Sequence, residues 1–326
     1  MKYGNISLPH GLILAPMAGV TDKAYRVICR QMGAELTVSE MISSRGIYYS
    51  DKKTAELASI AVEERPTLIQ IFGNDPQIMA YAADKLLVYK PNGIDINMGC
   101  PVTKIAGNGD GSALMKSPEL VGEIVRAVVD ASGDLPVSVK IRSGWSKESI
   151  NAPEIAKIAQ DNGASMIAVH GRTKDMMYSG KADLDVIRDV KSAVSIPVIG
   201  NGDINCANSA KCMFTYTRCD GIMLARGVLG NPWLFRQIRD SLEGISAETY
   251  RPSPSEWRDT VLHHLELAVE DKGEKRAIPE MRKHIGWYIR EFPQAAVLRN
   301  RACMAVSLGQ MREIVLTATD ELARTT

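Results

Sequence analysis

The sequence lacks a strong charge of either sign and any long apolar run. Its 326 residues include 39 lysines and arginines against 38 aspartates and glutamates, a formal net charge of +1. This balance excludes a globally basic protein, so any contact with nucleic acid must come from a local patch. The apolar run LILA near the N-terminus is far too short to cross a bilayer, and no basic leader precedes it. We therefore expect a soluble, cytoplasmic protein.

The cysteines and glycines also lack two familiar patterns. None of the six cysteines belongs to a CxxC pair, and the gaps between Cys206, Cys212 and Cys219 match no zinc pattern. We therefore predict reduced thiols and no metal site. No GxGxxG turn follows the first apolar run, which is evidence against a dinucleotide-binding sheet.

Eight short apolar runs are present, and a helical pattern follows each of them. This alternation predicts a (β/α)₈ TIM barrel, with a doubly wound sheet as the alternative. The runs are LILA at 12–15, LTVS at 36–39, TLIQIF at 67–72, GIDIN at 93–97, PVSVKI at 136–141, SMIAVH at 165–170, IPVIG at 196–200 and GIMLA at 221–225.

The strand pattern stops after Trp233. A Pro/Ser segment at 251–257 is typical of a linker, and the chain beyond it has helical periodicity. We predict two domains, the barrel over 1–245 and a smaller all-helical domain over 246–326. One helix is predicted near 278–292, with Pro279 in its first turn. Its inward stripe would consist of Ile278, Met281, Ile285, Tyr288, Ile289 and Phe292.

Polar side chains follow the predicted strands at their C-terminal ends, where barrels of this type place active sites. One such residue alone is typical of a solvated loop, but their joint placement predicts a site. They include Glu40, Gln70, Asn97, Lys140, Arg142, His170, Arg172, Asn201, Asp203 and Arg226.

Lys140 is the most informative of these residues. Strand alternation in VSVKIR puts Ser138, Lys140 and Arg142 on the face that points into the barrel. A cation in that position requires a partner, which would be an anion or an electron-rich ring of a ligand. The alternative is a carboxylate of the protein itself, such as Asp95 or Glu40. Glycines after the last two strands, in GNGD and ARG, favour the binding of a phosphate.

Taken together, these motifs resemble the tRNA-dihydrouridine synthases, and most nearly the bacterial B-type. The likeness extends over almost the whole chain, and the spacing between APMAGVTD and NMGCP is highly specific. It rests on LAPMAGVTD, INMGCPV, VKIRSGW, HGRT, IPVIGNGDI, LARG and the C-terminal RKHIGWYIREF.

The resemblance implies an FMN-dependent enzyme that reduces specific uridines in tRNA to 5,6-dihydrouridine, with NADPH as a transient hydride donor. Cys100 would be the catalytic acid, and Asn97 would lie close to the bound uracil. FMN would be bound by Pro16, Met17, Ala18, Gln70, Lys140, His170, Asn201, Gly202, Asp203, Ala225 and Arg226. The family often has glycine at the position of Ala225. Ribosomal RNA as substrate, the uridine position and the oligomeric state stay open.

The reaction accounts for a cysteine at the end of a strand. Reduction of the uracil C5–C6 bond needs a hydride at C6 and a proton at C5. Reduced flavin supplies the hydride, and a thiol with an ordinary pKa of about 8.5 is protonated at neutral pH and can supply the proton. The glycine-rich loop at 106–112 is predicted to be a mobile flap over Cys100, with a plain surface loop as the alternative.

Cationic residues are frequent in the C-terminal region. Between Lys272 and Arg312 there are nine lysines and arginines against three glutamates. We predict that Lys283, Trp287 and Arg290, on the outer face of the helix, bind tRNA. Arg142 and Arg172 at the barrel mouth are further predicted substrate contacts. The alternatives are a solvated basic face and a Trp287 that packs under a neighbouring helix.

Three other functions compete with this interpretation. The protein could be another flavin barrel that acts on a small molecule, a phosphate-sugar barrel enzyme without flavin, or an RNA-binding module without chemistry. The intact Cys100, Lys140 and His170 argue against the last of these.

Overall fold

The computed structural model describes residues 1–245, 250–292 and 294–324. Eight parallel strands form a closed barrel, as the sequence predicted. Each strand pairs with the next along the chain, and the last strand pairs with the first through Ile222 and Leu12. The strands are Leu12–Leu14, Leu36–Val38, Thr67–Phe72, Ile94–Met98, Val137–Arg142, Met166–His170, Val198–Asn201 and Gly221–Leu224.

Amphipathic helices surround the barrel and bury their apolar faces against the outside of the sheet. Aspartate side chains begin several of them; Asp22 and Asp75, for example, accept hydrogen bonds from the first-turn amides that have no partner inside the helix. The helices are Lys23–Gln31, Ser44–Tyr48, Lys52–Leu57, Pro76–Leu86, Thr103–Ala106, Pro118–Ala131, Ala152–Asp161, Leu184–Ala193, Ala207–Thr217 and Leu234–Leu242.

A short N-terminal hairpin, Lys2–Tyr3 with Ile6–Ser7, packs at the N-terminal end of the barrel. Tyr3 and Leu8 are buried in one cluster with inward-facing strand residues, and the Tyr3 hydroxyl donates to the Pro136 carbonyl at 2.9 Å. A short extra strand, Ile42–Ser43, extends the sheet beside Ile71 and Phe72 at the opposite end.

Four helices follow the barrel: Pro254–Lys272, Glu274–Tyr288, Ala295–Met304 and Leu308–Ala323. Their apolar core also includes Ala24 and Trp233 from the barrel part of the chain. The two parts therefore share buried surface. The division after residue 245 stays a prediction, because 246–249 lie outside the described residues. None of the helices in the described ranges is both long and apolar enough to cross a membrane.

The predicted helix near 278–292 starts earlier than its pattern indicated. It begins at Glu274, so Pro279 lies inside the helix instead of in its first turn. The predicted apolar stripe is confirmed, with Ile278, Met281, Ile285, Tyr288 and Ile289 buried and Phe292 packed against the same core.

One buried ion pair holds the first barrel helix to the chain before the third strand. The Arg26 guanidinium binds both carboxylate oxygens of Glu64 and donates to the carbonyls of Thr21 and Ser59. Both side chains are almost completely buried. Loss of one partner would leave an uncompensated buried charge.

We expect Arg26→Met to lower the free energy of unfolding by about 3–5 kcal/mol, because Glu64 would then keep a buried charge without its partner. Denaturant titration followed by circular dichroism measures the change. Lys85→Met, which removes the cation of the exposed pair with Asp84, is the control and should change stability little. Equal effects of the two substitutions would contradict this account.

Candidate active site

A cavity of about 1360 Å³ opens at the C-terminal ends of the strands, and the C-terminal helices line one side of it. Three predicted site residues do not line this cavity: Glu40, Arg172 and Lys283. The predicted residues that do are Pro16, Met17, Ala18, Gln70, Asn97, Cys100, Lys140, Arg142, His170, Asn201, Gly202, Asp203, Ala225, Arg226, Trp287 and Arg290.

Cys100 lies half-buried just after the fourth strand, on a turn held from two sides. The Asn97 side-chain oxygen accepts hydrogen bonds from the amides of Gly99, at 3.1 Å, and Cys100, at 2.9 Å. On the other side, Arg142 Nε donates to the Gly99 carbonyl at 2.9 Å. Burial raises the pKa of the Cys100 thiol, so the thiol keeps its proton at neutral pH.

The glycine-rich loop predicted as a flap packs directly against Cys100. A Cβ atom on Gly111 would lie 3.0 Å from the Cys100 Cβ, and the φ of Gly111 is +59°. The Ser112 amide donates to the Cys100 carbonyl at 3.1 Å. Glycine is therefore required at 111 both by the close approach and by the backbone conformation.

A chain of buried side-chain hydrogen bonds runs from the barrel interior to the Cys100 turn. Ser138 donates to Asp95 Oδ1 at 2.5 Å, and Gln70 Nε2 donates to Asp95 Oδ2 at 2.6 Å. Asn97 Nδ2 then donates to Gln70 Oε1 at 2.8 Å. Burial raises the pKa of Asp95 to about 6, so its carboxyl is mainly ionised at neutral pH. From the sequence, Asp95 was expected only as an alternative partner for Lys140.

Four cationic side chains surround His170. Burial and the charges of Lys140, Arg142, Arg172 and Arg226 lower the pKa of His170 to about 2, which keeps the imidazole neutral. Burial and the neighbouring Arg142 also lower the pKa of Lys140 to about 8. The mouth of the barrel is therefore strongly electropositive and suits an anionic ligand.

Neither carboxylate considered as a partner for Lys140 forms an ion pair with it. Its ammonium group instead lies 3.4 Å from the Asn201 side-chain oxygen, and no salt bridge to Lys140 occurs in the described part of the chain. A buried ammonium without a carboxylate partner leaves one positive charge available to a ligand.

The structure places Arg172 behind the cavity and not in its lining. Its side chain is buried, and it binds Asp203 through both carboxylate oxygens, at 2.7 and 2.8 Å. It also donates to the carbonyls of Ser179 and Gly180. With its donors used in this way, Arg172 orients Asp203 and the loop after the sixth strand.

The loops after the seventh and eighth strands offer backbone donors for a phosphate. A Cβ atom on Gly202 would lie 2.5 Å from the Ala182 Cβ, and its φ of +133° also requires glycine. The amides of Asp203 and Arg226 have no acceptor among the residues that the structure describes. Arg226 supplies a guanidinium beside them, 3.6 Å from Asp203. This donor set fits a phosphate monoester.

Tyr178 is a site residue that the sequence analysis missed. It lines the cavity with 51% of its surface exposed. The guanidinium groups of Arg142 and Arg226 lie 5.7 and 5.4 Å from its ring centroid. In the sequence, its position as an aromatic residue in the loop after His170 was the one indication of this role.

On the helical side, the predicted tRNA contacts do not form one exposed face. Lys283 donates to the Gly19 carbonyl in the loop after the first strand, so this lysine joins helix to barrel. Trp287 is half-buried, 5.1 Å from the His284 ring, and lines the cavity. Arg290 is exposed beside it.

Much of the C-terminal basic surplus is used in internal pairs. Lys272 binds Asp22 and Glu280, Arg276 binds Glu56, Arg301 binds Glu313, and Arg312 binds Glu266. The count of charges along the sequence therefore overstates the positive charge that this region offers to a partner.

Comparison with known proteins gives one consistent result. Residues 13–323 match the dihydrouridine synthase family. A tRNA-dihydrouridine synthase B from Vibrio vulnificus is 43% identical over 299 residues, which cover 92% of each chain. The protein of the same name from Shewanella oneidensis is 44% identical over 290 residues, 89% of each chain. A probable tRNA-dihydrouridine synthase from Rickettsia conorii is 43% identical over 300 residues, which cover 92% of this chain and 90% of the relative.

Two solved structures share the fold at low identity. A 2-naphthoyl-CoA reductase complex has a TM-score of 0.58 at 13% identity and covers 76% of this chain. A histamine dehydrogenase from Rhizobium sp. 4-9 has a TM-score of 0.58 at 12% identity and covers 82% of this chain. The matched parts are 52% and 50% of those two longer chains, so these likenesses concern the barrel fold alone.

The lowered pKa of Lys140 leads to a prediction on ligand binding. A ligand that accepts a hydrogen bond from the Lys140 ammonium favours its charged form and raises this pKa above 8, so binding takes up a proton at higher pH. We expect the dissociation constant of FMN to increase above pH 8, by up to about tenfold per pH unit. Titrations of the cofactor-free protein followed by flavin fluorescence measure this change.

Two variants test whether Lys140 is the titrating group. Lys140→Gln should bind FMN more weakly, with a flat profile between pH 7.5 and about 9 because no group near 8 remains. Cys100→Ala should keep the wild-type profile, which would exclude the neighbouring thiol. A flat profile in the wild type would show that the ligand does not contact the Lys140 ammonium.

Proposed function

The chain belongs to the dihydrouridine synthase family, and from this premise we propose that it reduces uridines in tRNA to 5,6-dihydrouridine, using FMN and NADPH. Relatives named tRNA-dihydrouridine synthase B, 43% and 44% identical over about nine tenths of the chain, support the reaction and the RNA class. The observation that carries the proposal is a protonated thiol, Cys100, held over an electropositive cavity at the barrel mouth.

The cavity fits FMN by the chemistry of its lining. Gly202, Asp203 and Arg226 would bind the phosphate with two free amides and a guanidinium, while Arg172 orients Asp203. Asn201 and Ala225 flank these loops, and Pro16, Met17 and Ala18 would contact the ring from the loop after the first strand, which pairs with the eighth.

Lys140, His170 and Gln70 would bind the polar edge of the ring. A cation suits the part of the flavin that becomes negative on reduction, and neutral His170 can donate or accept a hydrogen bond there. When bound, reduced FMN supplies the hydride that uracil C6 receives. NADPH would dock transiently at the same mouth, in keeping with a chain that has no dinucleotide fingerprint after its first strand.

Cys100 would deliver the proton to uracil C5. The Asn97 oxygen and Arg142 Nε fix the turn that carries the thiol, so its direction does not depend on the substrate. Burial raises the thiol pKa and keeps the proton available at neutral pH. One Asn97 N–H faces only the Met41 sulfur, at 3.8 Å, and is free to donate to a uracil carbonyl.

The target uridine must leave its stack to enter this cavity. Trp287 and Arg290 line the wall that the helical region contributes, where they would contact the nucleotides beside the target. Arg142 is held by three carbonyls and would act on the substrate mainly through the Cys100 turn.

The proposal is tested with purified protein, FMN, NADPH and an unmodified tRNA transcript. We expect mass spectrometry to show a gain of two hydrogens at uridine. Cys100→Ala should still be reduced by NADPH, seen as loss of flavin absorbance, but should form dihydrouridine about 10²–10⁴-fold more slowly. Cys212→Ala, which removes an exposed thiol on the helix Ala207–Thr217, is the matched control.

Two results would contradict the proposal. Absence of dihydrouridine with wild-type protein that holds FMN and oxidises NADPH would exclude tRNA as the substrate of this reaction. Normal dihydrouridine formation by Cys100→Ala would show that this thiol is a packing residue and not the acid.

A further inference from the structure

Two lysines lie over one tryptophan at the rim of the barrel mouth. The ammonium groups of Lys116 and Lys174 are 4.0 and 4.6 Å from the centroid of the Trp145 ring. Their separation cannot exceed the sum of these distances, which is close to the screening length of about 8 Å at physiological salt. The two charges therefore repel each other, and an anion between them would relieve the repulsion.

The carboxylates nearby do not neutralise this pair. In the ranges that the structure describes, neither Lys116 nor Lys174 forms a salt bridge. Asp175 is adjacent in sequence and attracts Lys174 electrostatically, but its carboxylate accepts the Thr173 hydroxyl, which lowers the pKa of Asp175, and forms no salt bridge with Lys174. Glu148 is exposed in the neighbouring loop without an ion pair to either lysine.

The topology places Lys116, Trp145 and Lys174 on the opposite side of the barrel mouth from the helical region. Trp145 follows the fifth strand, and Lys116 and Lys174 come from the loops of the adjacent fourth and sixth strands. The helical region contacts the loops after the first and eighth strands, through Lys283 to Gly19 and at Gly230. In a closed barrel of eight strands, the first and the fifth lie on opposite sides.

We propose that Lys116, Trp145 and Lys174 form a second contact for the RNA, which binds the sugar-phosphate backbone on the side of the mouth away from the helices. Unpaired cations around a half-buried aromatic ring match a strand that carries phosphates and bases. The loop of Lys174 continues to Tyr178 at the cavity, so this contact is continuous with the site. The inference rests on the proposed function, since it requires RNA as the substrate.

The test is tRNA affinity at several salt concentrations for Lys116→Gln combined with Lys174→Gln. We expect weaker binding and a slope of log affinity against log salt that is shallower by about two, one unit for each phosphate that the variant no longer binds. The matched control combines Lys85→Gln with Arg188→Gln. These are also cations over exposed tyrosines, Tyr81 and Tyr216, on helices outside the mouth.

Two outcomes would contradict the second RNA contact alone, and a third would contradict the proposed function as well. A slope and affinity equal to wild type, with dihydrouridine formed normally, would overturn the second contact alone. An equal decrease in the control variant would also overturn it, since general charge would then explain the effect. If the wild-type protein formed no dihydrouridine, the proposed function would be wrong. This inference would then be wrong too, because it requires RNA as the substrate.

The buried series of hydrogen bonds from Asp95 to the Cys100 turn supports a second inference. The geometry points to Asp95 as a positioning residue for Cys100, which acts through Gln70 and Asn97. An ionised carboxylate only accepts, so Gln70 must turn its NH₂ to Asp95 and its oxygen to Asn97. Asn97 must then turn its own oxygen to the amides of Gly99 and Cys100, which only donate. The Asp95 carboxylate at one end and the two backbone amides at the other therefore require the same orientation of the Gln70 and Asn97 side-chain amides.

The test is the pH profile of Cys100 alkylation by iodoacetamide, read by peptide mass spectrometry. Asp95→Leu removes the acceptor, so we expect a looser turn and a thiol pKa shifted down towards the ordinary value of about 8.5. Dihydrouridine formation should fall about 10²-fold in kcat, with KM for tRNA unchanged. Asp95→Asn keeps an acceptor oxygen and should restore both readouts. Lys140 and Arg142 face the thiol in every variant.

Two further variants keep this inference falsifiable. Gln70→Met breaks the same chain one step closer to the turn and should shift the profile as Asp95→Leu does, even if the latter fails to fold. Ser138→Ala removes the other donor to Asp95 and should leave the profile unchanged. A wild-type profile in Asp95→Leu or Gln70→Met, or an equal shift in Ser138→Ala, would overturn the role of Asp95. Alkylation does not depend on the proposed reaction.

Discussion

Repulsion among clustered cations is the constraint around which the barrel mouth is arranged. Lys140, Arg142, Arg172 and Arg226 all face His170, and their charges help to keep its imidazole neutral. Asp203 offsets part of this charge, and carbonyl oxygens hold Arg142 and Arg172 in place. Lys140 has no carboxylate partner among the described residues, and Arg226 shares Asp203 with Arg172, so positive charge at both side chains is directed to the cavity. A ligand with a phosphate and an anionic ring edge would complete the site.

The other half of the site, around Cys100, is organised by the direction of its hydrogen bonds. Asp95, Gln70 and Asn97 form a chain in which each group has one possible orientation, and the chain ends at the turn of Cys100. Arg142 connects the two halves, because it belongs to the cation group and also binds the Gly99 carbonyl. The thiol is therefore fixed before any substrate arrives, which reduces the reorganisation that the reaction requires.

The helical region contributes to the site through its attachment to the barrel. Lys272 lies between Asp22 and Glu280, and Trp233 is buried in the helical core, so the two parts are held in one arrangement. The same pairs consume cations that the sequence offered as an RNA surface. The proposed RNA contacts are Trp287 with Arg290 on one side of the mouth and Trp145 with its two lysines on the other.

The sequence by itself determined the barrel, the inward direction of Lys140 and the position of Cys100 at a strand end, because strand alternation and strand termination are local properties. The apolar stripe of the helix Glu274–Tyr288 followed for the same reason. Only the tertiary structure decided that Arg172 binds Asp203, that Lys283 binds Gly19 and that Tyr178 reaches the cavity. These outcomes depend on which distant loops meet when the barrel closes, and a charged or aromatic side chain carries no local signal of whether it will meet a partner or a ligand.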